Sequence, residues 1–119
     1  MAPRPDPKSQ IPLKPVELLV LTMLSAGDRH GYGIRQDIIE HTRGEIELEA
    51  GNLYRTIRRL ETDGLIDEAS SSDSDSTDER RRYYRLTPFG RRVLATELER
   101  LRDLVRLGEE RRVIGPTPA

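Results

Sequence analysis

The stretch from Val16 to Leu24 constrains this chain more than any other, because seven of its nine side chains are Val, Leu or Met. A helix that is apolar on nearly every side is stable only when surrounded, so the other segments must wrap around it. Pro15 suits the first helical position, where a missing N–H costs nothing, and Gly27 lies just past the end. The chain has 119 residues, 34% hydrophobic and only 4% aromatic, which suits one small domain and a docking element rather than two cores. So thin a core predicts that a partner surface supplies further burial.

Two amphipathic helices follow. Ile34, Ile38 and Ile39 form a stripe over Gly31–Arg43, which Gly44 ends, with Arg35, Gln36, Asp37 and Glu40 on the wet side. Leu53, Ile57 and Leu60 recur at intervals of four and three over Gly51–Asp63, which Gly64 ends. The period then changes. Residues 65–69 and 81–86 read as two short strands, with Tyr84 and Leu86 on one face of the second. Between them, Ser70 to Glu79 holds only Ser, Asp, Thr and Glu, so a disordered acidic tip over 70–79 is expected. Thr87-Pro88 offers an N-cap and a first-turn proline for a helix reaching Arg112, about 37 Å at 1.5 Å per residue. Residues 1–12, which include Pro3, Pro5, Pro7 and Pro12, read as a flexible arm, and residues 113–119 as a fraying tail. The expected fold class is mainly α with a small β-hairpin.

Charge and composition exclude several kinds of work. Twenty basic and 21 acidic side chains leave a net charge of -1, so any attraction to nucleic acid must be local. With no Cys there is no disulfide scaffold, thiolate zinc site or thiol nucleophile. With only His30 and His41 there is no histidine-rich metal site, and no metal or cofactor is expected. Catalysis is not expected either, since G-x-S-x-G, HExxH, phosphate-cradling loops and credibly paired carboxylates are all missing. No apolar run approaches the roughly 20 residues that span a bilayer. The proline-rich start lacks the apolar centre of a secretory signal, which makes a soluble, cytoplasmic protein without membrane contact the expectation.

What remains is basic patterning. On the third helix, Asn52, Arg55, Arg58, Arg59 and Thr62 project opposite the Leu53, Ile57 and Leu60 stripe. Guanidinium groups read guanine edges bidentately and clamp phosphates, and Asn pairs with adenine edges. Such a helix outlines a helix-turn-helix reader, although an ordinary solvated face has the same composition. The hairpin tips the balance, because residues 80–92 hold six arginines and no acid. Arg81 and Arg82 lead its return strand, beside Tyr83. In the last helix, Leu94, Leu98, Leu101 and Val105 are spaced by four, three and four, with Leu104 alongside. That stripe is wide enough to meet both its own domain and a second copy, giving a dimerisation set of Leu94, Leu98, Leu101, Leu104 and Val105. His30 reads as a local hydrogen-bonding residue and Tyr32 as a packed aromatic.

Four motifs stand in order: His30-Gly31-Tyr32-Gly33-Ile34; Gly51-Asn52-Leu53-Tyr54 with Arg58-Arg59-Leu60-Glu61; Gly64-Leu65-Ile66; and Arg82-Tyr83-Tyr84-Arg85-Leu86-Thr87-Pro88-Phe89-Gly90. Over residues 13–107 the chain resembles the PadR-like transcription regulators. The resemblance implies a winged helix-turn-helix domain over 13–87 that binds double-stranded DNA. It also implies a dimerisation helix over 88–112, and repression by a homodimer at a palindromic operator. By position, Tyr54, Arg58 and Arg59 would face DNA, and Tyr83 and Tyr84 would lie on the return strand of the wing. The chain departs from the family pattern at Ala50, where proline is usual, and at Asn52, where Ser or Thr is usual and Asn is expected to cap the helix. Six acids between Asp67 and Glu79, without a base, argue against a wing tip that enters the groove. Family members often sense hydrophobic compounds through aromatic walls. With no Trp and one Phe, no large aromatic cage is expected, and whether a small-molecule effector exists stays open. The alternative is a winged helix that contacts proteins and not DNA.

Overall fold

The computed structural model describes residues 6–46, 48–69 and 82–118. Helix α1 (Pro15–Leu24) takes the central position that its sequence demands, with Val20, Leu21 and Leu24 enclosed. Three helices pack on it: α2 (Gly31–Thr42), α3 (Ala50–Thr62) and α4 (Pro88–Glu110). They close the core with Ile34 and Ile38 from α2, Leu53, Ile57 and Leu60 from α3, and Val93 and Leu94 from α4. Each such side chain contributes about 1.5–3 kcal/mol when it leaves water, so the apolar stripes hold the helices in place.

A three-stranded antiparallel sheet lies beside the helices. Strand β2 (Ile66–Glu68) pairs with β3 (Tyr83–Leu86), with Ile66 opposite Leu86, Asp67 opposite Arg85 and Glu68 opposite Tyr84. The Ala69 N–H extends the ladder to the Tyr83 carbonyl at 2.8 Å. The expected hairpin is thus present, with a neighbour that the sequence did not announce. Strand β1 (Arg29–His30) pairs with the other edge of β3, setting Arg29 opposite Tyr84 and His30 opposite Tyr83. Two residues are too few to show a period, which explains the omission. Three helices with the β2–β3 hairpin after the third, and β1 inserted between the first two, make a winged helix-turn-helix.

One junction joins the sheet to the helices on both sides. Helix α3 ends where Gly64, at φ +80°, takes the left-handed conformation that glycine adopts without a Cβ clash. The chain then turns into β2. Thr87 caps α4, its Oγ1 accepting the Gly90 N–H at 2.9 Å and donating to the Gly64 carbonyl at 2.7 Å. Gly90 is the point of closest approach, since a Cβ there would overlap the Leu65 carbonyl oxygen.

Two expectations need correction. The second half of the supposed flexible arm is built into the fold: Pro7–Gln10 forms a 3-10 turn against α4, capped by Asp6 Oδ1, which accepts the Lys8 N–H at 2.9 Å. Ile11 and Leu13 lie against the core. The anchor is Glu97, a carboxylate of α4 that is only 1% exposed. Its Oε2 accepts the Leu13 N–H at 2.6 Å and its Oε1 accepts Arg100 Nε at 2.5 Å. Composition cannot reveal a distant buried acceptor. Leu94 must also leave the proposed dimerisation set, because it is buried in its own core, whereas Leu98, Leu104 and Val105 are exposed and Leu101 is half-buried.

Two measurements test this account. Gly90→Ala should cost about 1–3 kcal/mol in urea unfolding, because the Leu65 backbone must move to admit the methyl group. The Arg100 hydrogen bond, helped by the Leu13 N–H and opposed by burial, holds the Glu97 carboxyl below the usual carboxylate range. The unfolded chain therefore takes up this proton first as pH falls. The stability that Glu97 contributes is complete above the ordinary carboxylate value of about 4.3 and is lost as pH drops through its folded value. Unfolding followed from neutral to acid pH should show a shallower acid slope for Glu97→Gln than for the wild-type chain.

Candidate nucleic-acid interface

Helix α3 begins at Ala50, with Glu49 at the N-cap position and no side-chain cap. Asn52 therefore sits inside the first turn and does not cap the helix as expected, which leaves its amide at the surface. Because Leu53, Ile57 and Leu60 are committed to the core, helical geometry turns Asn52, Arg55, Arg58, Arg59 and Thr62 outward, and all five are exposed. Tyr54, which the resemblance implies faces DNA, stands between the core and the outward face. It is half-buried and packs against the core, so its ring helps to seat the helix.

The outer face of α3 meets the start of α1 at a cleft of about 470 Å³, lined by Lys14, Val16, Glu17, Asn52, Arg55 and Arg59, among others. Three cations thus share this lining with one acid. Glu17 is buried and its Oε1 accepts the Lys14 N–H at 2.7 Å, closing the first turn of α1. Its Oε2 lies 3.7 Å from Arg59 Nε. The sequence reading missed Lys14 and Glu17. A signal was present, since an acid two residues after a first-turn proline is where a side chain reaches back to a helix start.

The wing is arranged differently. Asp67 faces Arg85 across the β2–β3 ladder, with Oδ1 2.6 Å from Nε, and Glu68 Oε1 lies 4.0 Å from Arg82 Nε. The Asp67 hydrogen bond pushes the Arg85 guanidinium above its ordinary pKa. Arg91 donates from Nη2 to the Ser25 carbonyl at 3.3 Å, and the Arg92 guanidinium carbon sits 5.8 Å from the centre of the Phe89 ring. The basic segment that the sequence presents as a free positive field is therefore partly engaged inside the protein. Arg81, a predicted DNA contact, lies outside the described residues, as does the acidic tip over 70–79.

Tyr83 is half-buried and meets His30 edge-on, with ring centres 5.4 Å apart. His30 is the local hydrogen-bonding residue that was expected, its Nδ1 accepting the Gly33 N–H at 2.8 Å. Tyr32 does not pack into the core as expected, being 51% exposed, and its ring stacks on His30 with centres 6.4 Å apart. Asn52, Arg55 and Arg59 thus share one cleft, with Arg58 on the same helix face, while Tyr83 belongs to β3 and Arg82 immediately precedes it. Among the described residues, no cluster of His, Asp and Glu could hold a metal ion, and no helix is long and apolar enough to cross a membrane.

Comparison with known proteins agrees with this geometry. The profile of the PadR-like family of transcriptional regulators matches residues 20–96. A transcriptional regulator of Mycobacterium tuberculosis is 35% identical over 92 residues, 76% of this chain and 79% of that protein. The crystal structure of a PadR family transcription regulator from Clostridium difficile superposes with a TM-score of 0.67 and 28% identity, covering 80% of this chain and 95% of that one. Bacillus subtilis PadR, solved in complex with operator DNA, superposes with a TM-score of 0.61 over 73% of this chain and 48% of that one. At 22% identity that last likeness is one of fold. A profile running from the central helix into α4, and a relative matched over most of its length, make this chain a member of the PadR-like family of transcriptional regulators.

Proposed function

We propose that this chain acts as a homodimer that recognises a palindromic operator in double-stranded DNA and represses transcription from it. The observation that carries the reading is the outward face of α3, where Asn52, Arg55, Arg58 and Arg59 stand over an apolar stripe wholly committed to the core. A rigid helix that presents guanidinium and amide groups has the chemistry to read base edges in a major groove. Arg82, Arg81 and Tyr83 of the wing are proposed as neighbouring contacts with the DNA backbone.

The far half of α4 supports the dimer. Leu98, Leu104, Val105 and Leu107 are exposed, and Val113 and Ile114, expected to belong to a fraying tail, instead fold back to complete an apolar hollow of about 400 Å³, the Val113 N–H reaching the Gly108 carbonyl at 2.9 Å. Contiguous apolar surface of this kind calls for a cover. A second copy related by a two-fold axis supplies the same surface in return and sets two α3 helices about one helical turn of DNA apart. Occupancy of a promoter by such a dimer represses by excluding polymerase.

Equilibrium sedimentation and DNA binding together test the assembly. Leu104→Asp should shift the chain toward monomer and weaken binding to a promoter duplex by at least about tenfold, since burial of a leucine in each copy is lost. A dimer of unchanged stability would overturn the assignment. The wing gives a second test through salt. Asp67→Asn releases Arg85, so affinity for unrelated duplex should rise at low salt, and the slope of log affinity against log salt should steepen by up to about one. If wild-type binding to promoter DNA is flat with salt, protein docking replaces DNA reading.

A further inference from the structure

We infer that Glu17, an acid on the central helix and not on the reading helix, is a positioning residue that presets the guanidinium of Arg59 for DNA. This inference rests on the reading of α3 proposed above. The Glu17 carboxylate is fixed on one side, because Oε1 accepts the Lys14 N–H at 2.7 Å, and it sits in the first turn of α1, where helix dipoles favour negative charge. Its other oxygen faces Arg59 Nε at 3.7 Å. The two side chains differ sharply in exposure, with 10% for Glu17 and 55% for Arg59. A rigid, recessed acid thus holds the inner edge of an exposed cation, and the terminal nitrogens of the guanidinium fork are the part left to meet a ligand.

An exposed arginine samples many rotamers and loses that freedom on binding, so an anchor already in place reduces the loss. At 3.7 Å the pair attracts by charge and is not locked by a short hydrogen bond, which lets the guanidinium advance onto a base edge. A structural role alone accounts for one oxygen of Glu17, which closes the helix start. It does not account for the second, which faces Arg59 at the cleft that Lys14 and Arg55 also line. An exposed acid here would repel phosphates, but a recessed one lies behind those three cations.

The test uses the full chain, a duplex that the wild-type chain enriches from a random-sequence pool, and a shuffled duplex of equal length. Glu17→Gln keeps an amide oxygen for the Lys14 N–H, so its melting temperature should stay near wild type. Its preference for the enriched over the shuffled duplex should fall by about 5- to 100-fold, while affinity for the shuffled duplex holds or rises. Arg59→Ala should lose a similar preference, and adding Glu17→Gln to it should change nothing more. Arg59→Lys keeps the charge and leaves the cap untouched but has no Nε to hold, so it too should lose the preference and retain shuffled-duplex affinity. An unchanged preference in Glu17→Gln, full additivity in the double variant, or full preference in Arg59→Lys would each overturn the positioning role. Failure to enrich any duplex, or an Arg59→Ala chain that keeps its preference, would instead sink the underlying reading of α3.

Discussion

Helix α1 has almost no side left for water, and the rest of the molecule follows from that. Val20, Leu21 and Leu24 must be covered, and only three amphipathic helices and one sheet are at hand to cover them. Each covering helix turns its apolar stripe inward and its polar side outward. The outward side of α3 is therefore not an independent feature of the chain. Arg55, Arg58 and Arg59 stand where they do because Leu53, Ile57 and Leu60 are held against the core.

Much of this was legible before any coordinates. Three helix ends are signalled by one or two residues each, with Pro15 opening α1, Thr87-Pro88 opening α4 and Gly64 closing α3. Periodicity placed the α3 stripe and the buried face of Tyr84 correctly, because both repeat within one element. What escaped depends on contacts between residues far apart in sequence. The Leu13 N–H finds Glu97, which lies 84 residues away, and nothing local to residues 1–12 foretells it. Leu94 belongs to the same heptad-like pattern as Leu98, and only the packing of α4 decides which faces inward.

The site was legible in the same unequal way. The α3 cations came from one stripe on one helix. Their setting did not, because Lys14 and Glu17 arrive from α1 and complete the cleft only in three dimensions. The wing shows the opposite error. Residues 80–92 look like an undivided positive field in one dimension. Antiparallel pairing sets Asp67 against Arg85 and brings Glu68 near Arg82, so part of that field closes on itself. A charge count along a strand overstates what it offers to solvent whenever the facing strand carries the opposite sign.

The hydroxyl of Thr87 touches the Gly64 carbonyl at the end of α3 and the Gly90 N–H at the start of α4. One side chain thus fixes the angle between the helix that faces outward and the helix with the exposed apolar end. In a two-fold pair joined along α4, the distance between the two DNA segments being read would be set at this hinge-free corner. Remodelling the corner would retune which half-site separations are accepted, whereas altering the distal end of α4 would change only how long the pair endures.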